Sequence, residues 1–244
     1  MPVDGVIFDL GSTLIHRTGL ELEREKCAGL AQFAAAELGC RDSAAFAADL
    51  LRIRLDGWRR AEQDLVERLA TDSIAQAFAR AGLPVDEHTL RRAEAVFFEP
   101  EVRISRLYPD ALETLEHLRA MGLMIGMISN ATSHGLIVDI TARHRIDAYF
   151  NPLVSSAGHG RVKPHPAIFT HVLDGWGVPV SGAVMVGDTL AADIAGAHAV
   201  GMRSILVDIE PNPANAAFTG APPTIRVETL QEIPPVIDRW ADQG

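Results

Sequence analysis

Cysteine, positive charge and long apolar runs are all scarce in this sequence, and each scarcity closes off a class of protein. There are two cysteines, Cys27 and Cys40, in 244 residues. Neither belongs to a CxxC pair, and two thiols do not build a disulfide framework. No apolar run approaches the ~18 residues needed to span a bilayer. The first residues, Met1-Pro2-Val3-Asp4, are not a basic segment leading into an apolar one, so no secretion signal is read there. Lys and Arg total 22 against 32 Asp and Glu, a formal charge of −10. That balance lacks the electrostatic footprint of a protein that binds phosphate backbones. The expectation is a cytoplasmic protein with neither nucleic acid nor membrane as a partner. A small anionic substrate stays open, because one metal ion and one lysine make a local positive site on an acidic protein.

What is present is an ordinary globular balance, 48% hydrophobic and 22% charged, long enough to bury a sizeable core. Short apolar runs read as strands: Val6-Ile7-Phe8, Leu123 to Ile128, Pro152 to Val154, Ala183 to Val186 and Ser204 to Val207. They do not alternate cleanly, as expected for strands covered on both faces of a parallel sheet. Helical patterns lie between them. Asp110 to Met121 carries Leu112, Leu115 and Leu118 at helical spacing, between Pro109 and Gly122. Pro166 to Trp176, Ala191 to Val200 and Leu230 to Trp240 are the others. Strand alternating with helix predicts an α/β fold, a doubly wound, Rossmann-like parallel-sheet core.

One interval is too long. The first strand ends near Asp9 and the next clear one near Ser129, about 120 positions later, whereas a strand–helix–strand unit needs only about 30. The surplus is rich in Ala, Leu, Glu and Arg. Glu21 to Leu38, Asp42 to Leu55, Arg59 to Ala81 and Asp86 to Phe98 read as helices, with Gly39, Gly57 and Gly82-Leu83-Pro84 as breaks. The expected organisation is a core of residues 1–15 and 105–244 with an all-helical subdomain inserted over 16–104. There is no internal repeat, and Glu210 to Pro223 reads as a loop from its Pro, Asn and Gly content.

Polar signals follow three of the strands, where open α/β sheets bind ligands. Asp9, after Val6-Ile7-Phe8 and before Leu10-Gly11-Ser12-Thr13, is a carboxylate held at a strand end, which suits a nucleophile or a metal ligand. Alone it reads equally well as a turn residue before glycine. Ser129 and Asn130 follow the second strand and offer a hydroxyl and backbone N–H groups to phosphate oxygens, or a helix cap. Asp188 and Asp193, in Gly187-Asp188-Thr189-Leu190-Ala191-Ala192-Asp193, open a helix with two carboxylates five positions apart. They suit a magnesium ligand and a supporting neighbour, or a cap and a solvated acid. Between these lies Lys163, with Pro164 and Pro166 stiffening its segment. A held ammonium neutralises a nucleophilic carboxylate and phosphate oxygens together.

In order and spacing, the four signals together resemble the four motifs of the haloacid dehalogenase superfamily. Asp9 matches the nucleophile, Ser129 the hydroxyl of the second motif, Lys163 the lysine of the third, and Asp188 with Asp193 the acidic pair of the fourth. The helical insert resembles the cap of members that carry one after the first motif. The resemblance implies a magnesium-dependent phosphohydrolase acting on a small phosphorylated metabolite through an aspartyl-phosphate at Asp9. It implies Mg2+ on the Asp9 carboxylate, the Gly11 carbonyl and Asp188, with Asp193 orienting its neighbours. Phosphate would sit on Ser129, Asn130 and Lys163. The departure is Gly11, where the family's phosphatases usually carry a second Asp as general acid. Its loss removes a proton donor worth about 10²–10⁴-fold in rate.

Two other readings stand beside this one. A haloacid dehalogenase-type hydrolase needs no metal, and the Asp188 motif weighs against it. A catalytically weakened relative that only binds has Gly11 as its support, against the retention of Asp9, Ser129, Lys163 and Asp188. His159, His165 and His171 lie six apart with no HExxH or cysteine partner, so no zinc site is read from them. His16, just past the first motif, is a candidate to reach the leaving group. Trp58, Trp176 and Trp240 are read as packing residues. Periodicity does not distinguish a monomer from a dimer.

Overall fold

The computed structural model describes residues 3–242. The chain up to Arg17 together with the chain from Arg106 onward forms one compact unit, and Thr18–Ser105 forms a second.

The first unit is built on six parallel strands: β1 (Gly5–Phe8), β2 (Met124–Ser129), β3 (Leu153–Ser155), β4 (Ala183–Gly187), β5 (Arg203–Val207) and β6 (Ile225–Val227). Their order is β3-β2-β1-β4-β5-β6, the doubly wound arrangement whose direction of winding reverses between β1 and β4. Every residue of β1 and β4 is buried, so these strands read as continuous apolar runs rather than as alternation. Phe8 pairs with Met127 on one side and Val186 on the other. The residues just beyond β1, β2 and β4 therefore leave the sheet within two positions of each other. The sixth strand, β6, escapes a reading by pattern: it is three residues long, at the sheet edge, with Arg226 exposed in its middle.

The second unit contains α1 (Leu20–Leu38), α2 (Ser43–Asp64), α3 (Ala70–Arg80) and α4 (Glu87–Ile104). Asp42 and Asp86 cap α2 and α4 by accepting from the N–H groups of Ala45 and Thr89, both at 2.9 Å. Gly39 ends α1 in the left-handed conformation, φ 74°. The expected break at Gly57 is absent. Helix α2 runs through it, because one helical glycine costs only about 1 kcal/mol, and ends at Leu65 with φ 56°. Helix α4 likewise continues past Phe98 and contains Pro100. A buried ionic cluster ties three of these helices together. Glu23 of α1 accepts from Arg54 of α2 at 2.7 Å, and Lys26 lies 2.7 Å from both Glu23 and Glu101 of α4. Two cations face two anions, so the burial is charge-balanced, and Lys26 and Arg54 also lie over the Phe97 ring.

The sheet unit carries α5 (Ala111–Ala120), α6 (His134–Arg143), α7 (Ser156–His159), α8 (Pro166–Trp176), α9 (Ala195–Val200) and α10 (Ile233–Asp242). Helix α8 packs Ile168, Phe169, Val172 and Leu173 against Ile7, Ile128 and Met185. Its Trp176 lies so close to β1 and β2 that a Cβ at Gly5 or Gly126 would come within 2.6 or 2.8 Å of the indole. Glycine is what lets that helix seat on the sheet, and Trp176 is a packing residue as its sequence context suggests. Among the described residues no helix is long and apolar enough to cross a membrane.

Candidate active site

Asp9 is the first residue beyond β1, and its N–H is bonded to Val186 O at 2.9 Å. The sheet thus fixes its backbone before its side chain makes any contact. The chain then turns sharply. The left-handed residue of the turn is Ser12, φ 62°, and not Gly11. Gly11 has open space around it: a Cβ there would meet nothing within 4 Å. Thr13 is fully buried and donates its hydroxyl to Asp9 Oδ2 at 3.3 Å. Beyond the turn, Ile15 bridges to Gly11 and to Leu107, with His16 N–H on Arg106 O at 2.9 Å and Tyr108 N–H on Leu14 O at 3.0 Å.

Lys163 reaches the same place from the segment before α8. Its Nζ lies 2.6 Å from Asp9 Oδ1, 2.7 Å from Asp193 Oδ1 and 2.7 Å from Ile128 O. Asn130 holds this segment to the end of β2. Its Oδ1 accepts from Lys163 N–H at 2.8 Å and its Nδ2 donates to Lys163 O at 3.1 Å. Both ends of the Asn130 amide are therefore committed to the lysine's main chain. Ser129 is the last residue of β2 and is buried.

Asp188 follows β4. Its Oδ2 accepts from Arg17 Nη2 at 2.9 Å and Asn212 Nδ2 at 2.7 Å, and its Oδ1 from the Thr189 hydroxyl at 3.2 Å. Its carbonyl accepts from Asn215 Nδ2 at 2.8 Å. Asp193 follows one turn later and accepts from Thr189 N–H at 2.9 Å. It rests directly on Gly187, where a Cβ would stand 2.3 Å from the Asp193 Cγ. That contact explains a glycine ahead of Asp188. Asp9, Asp188 and Asp193 each present a carboxylate oxygen within 4.8 Å of the others, and all three residues are buried.

The electrostatics follow from this crowding. Burial raises the Asp9 carboxyl to about 7 against the pull of Lys163, with Asp193 and Asp188 adding to the rise. Asp188 is raised by burial and by Asp193, against the pull of Arg17. Burial alone would lower the Lys163 ammonium, but Asp193 and Asp9 outweigh it and hold it above its ordinary value. Three carboxylates, two of them sharing the Lys163 ammonium and the third paired with Arg17, still leave an excess of negative charge on hard oxygen donors. That is the donor chemistry of a magnesium ion.

The residues singled out in the sequence thus stand at the ends of three adjacent strands: Asp9 and Gly11 after β1, Ser129 and Asn130 at β2, and Asp188 and Asp193 after β4. Lys163 bridges two of the carboxylates. Four more residues carry no sequence signal of comparable strength. Arg17, Asn212 and Asn215 brace Asp188. Glu210 Oε1 accepts from His16 Nδ1 at 2.7 Å, with the His16 ring 4.3 Å from that of Tyr108. Three of these four come from the stretch that composition marks only as a loop. Isolated asparagines and a glutamate among prolines have no periodicity to betray them.

Residues 3–201 match the haloacid dehalogenase-like hydrolase family. The chain is 40% identical over 102 residues to a ribulose-1,5-bisphosphate 5-phosphatase of Halopiger xanaduensis, covering 42% of each chain. It is 32% identical over 159 residues to a glyceraldehyde 3-phosphate phosphatase of Pyrococcus abyssi, covering 65% of this chain and 66% of that one. These alignments span between two fifths and two thirds of the relatives' own lengths. Among solved structures, a 2-haloacid dehalogenase from Pseudomonas syringae pv. Tomato superposes with a TM-score of 0.73 at 26% identity, over 98% of this chain and 100% of that one.

Proposed function

We propose that this chain, which belongs to the haloacid dehalogenase-like hydrolase family, is a magnesium-dependent phosphatase of a small phosphorylated metabolite. The observation that carries the reading is the cluster of Asp9, Asp188 and Asp193, with Lys163 bridging the first and the last. A haloacid reaction needs no cation, and a cluster this negative is best completed by one. The sequence relatives named above are phosphatases, which supports the same choice.

Asp9 is the nucleophile. Its carboxylate attacks phosphorus as the ester P–O bond to the leaving alcohol breaks, and water then cleaves the aspartyl-phosphate to phosphate and the free carboxylate. Lys163, bonded to Oδ1, fixes the carboxylate's orientation and offsets the negative charge that a phosphate dianion brings. Ser129 binds a phosphate oxygen from the end of β2, and Asn130 serves the phosphate site by holding Lys163 in place. Asp9, the Gly11 carbonyl and Asp188 would hold Mg2+, and Asp193 would keep Lys163 and the loop after β4 in register. When bound, the ion supplies positive charge to the phosphate oxygens. The helical unit is assigned the role of cap, and its side chains that of selecting the substrate.

Phosphate release from a panel of sugar, acyl and aryl phosphates, with and without magnesium, tests the reading, with halide release in chelator as the control. Asp9→Asn should fold normally and release no phosphate, since an amide is not a nucleophile here and is a poorer ligand for a hard cation. Turnover by a folded Asp9→Asn variant at the wild-type rate refutes the assignment of Asp9.

A further inference from the structure

A phosphatase with glycine at position 11 lacks an obvious proton donor for the leaving alcohol. The structure offers a replacement close by. His16 Nδ1 lies 2.7 Å from Glu210 Oε1. A carboxylate accepts hydrogen bonds and does not donate them, so Nδ1 carries the hydrogen and Nε2 is the nitrogen left for chemistry. The same hydrogen bond holds the Glu210 carboxyl below its ordinary value, so it stays an acceptor. The imidazole rests on the Tyr108 ring at 4.3 Å, which leaves it little freedom to turn. Its side chain is nonetheless 45% exposed, so a ligand can reach it.

Position matters as much as orientation. His16 is bracketed in the chain by the two places that count. Ile15 before it is bridged to Gly11, where the missing acid would stand. Arg17 after it touches Asp188, whose carboxylate lies within 4.8 Å of that of Asp9. A carboxylate-oriented imidazole is an arrangement suited to give and then take a proton.

We propose that His16, oriented by Glu210, is the general acid and base of the phosphatase reaction. This rests on the phosphatase reading above. In the first step the Asp9 carboxylate forms a bond to phosphorus as the ester P–O bond breaks, and the proton on His16 Nε2 passes to the departing alcohol oxygen. In the second, water attacks phosphorus and the Asp9 O–P bond breaks. Nε2 takes the water's proton, which regenerates the carboxylate and the imidazolium. Glu210 is a positioning residue, acting only through the imidazole.

The test compares p-nitrophenyl phosphate, whose leaving group departs without a proton, with glycerol phosphate, whose alkoxide needs one. His16→Gln should lose about 10²–10⁴-fold in kcat/KM on glycerol phosphate and little in kcat/KM on the aryl ester, because kcat/KM reports the steps through departure of the alcohol and not the later hydrolysis that both esters share. Glu210→Gln should show a smaller loss with the same selectivity. Gly11→Asp should restore glycerol phosphate turnover in the His16→Gln background. A merely structural role for His16 would lower kcat/KM for both esters together, and that result overturns the proposal while leaving the phosphatase reading intact, as would no effect on either. If the wild type with magnesium releases phosphate from neither ester, the phosphatase reading falls and this proposal with it. Because His16 is half-exposed, its variants will fold, and thermal unfolding of each checks that they do.

Discussion

Replacing Lys163 by methionine removes the ammonium that joins two of the three clustered carboxylates. Its Nζ lies 2.6 Å from Asp9 Oδ1 and 2.7 Å from Asp193 Oδ1, and at an effective dielectric of about 20 each contact carries about 6 kcal/mol of gross attraction. Desolvation of the three ions takes most of that back. Deleting one partner is another matter, because Asp9 and Asp193 stay buried without it, at a cost of about 3–5 kcal/mol. For a protein of this size that is about 6–20 °C in melting temperature. The loss should also depend on pH. Burial raises the Asp9 carboxyl from 3.8 to about 7 even with Lys163 beside it. A carboxyl raised by folding makes the folded state lose stability as pH climbs from the unfolded value to the folded one. Without Lys163 the folded value moves higher still. The variant therefore goes on losing stability above about pH 7, where the wild type has levelled, and the gap is wider at about pH 8 than at about pH 5. Thermal unfolding of both proteins in chelator at those two pH values measures it. Equal melting temperatures at the higher pH, or a gap that does not change with pH, would show that Lys163 is not the counter-charge of this cluster.

Three further outcomes follow from the same contacts. Asp188→Asn should weaken magnesium binding by calorimetry more than Asp193→Asn does. Asp193→Asn, which strips a partner from Lys163, should lower the melting temperature in chelator more; identical behaviour of the two would mean their roles are wrongly divided. Gly187→Ala places a Cβ 2.3 Å from the Asp193 Cγ and should cost about 1–3 kcal/mol in a urea titration, so an unchanged midpoint would contradict the close packing. In the helical unit, burial would raise the Glu23 carboxyl, but Arg54 and Lys26 outweigh it and hold it below 4.5. Its contribution is therefore present above that value and is lost as pH falls through the depressed one. Glu23→Gln should cost about 3 kcal/mol at neutral pH and flatten the acid limb of a stability profile; an unaltered acid limb would remove Glu23 as its source.

The sheet and its polar ends were legible because each signal is local. A strand buried on both faces must be apolar throughout, so Val6-Ile7-Phe8 and Ala183 to Val186 stand out, and an acid directly after such a run stands out more. Asp9, Ser129, Lys163 and Asp188 could be placed together because open sheets gather strand ends. The helical insert shows in the sequence as a surplus of chain, but the breaks between its helices do not all show. Gly57 looks like a break and is helix, since the packing of α2 outweighs a propensity cost of about 1 kcal/mol. Position 11 shows a different limit. Glycine invites the inference of a left-handed backbone, yet the strained residue is Ser12, and Gly11 has room for a side chain that it does not carry. The braces on Asp188 and His16 were out of reach because they depend on where a loop some 200 residues away from Arg17 comes to rest.

The short ladder beside the turn has a consequence of its own. His16 N–H is bonded to Arg106 O, and Tyr108 N–H to Leu14 O, so the chain leaves the sheet unit and rejoins it at one stapled point. The sheet unit closes that loop with its own backbone, whatever lies between Arg17 and Arg106. Closure of a loop costs only about 0.6 kcal/mol more for each doubling of its length, so the host barely registers how much chain is threaded through the staple. The inserted unit can then be lengthened, exchanged or rewritten as a module, while the residues at the strand ends stay where the sheet holds them.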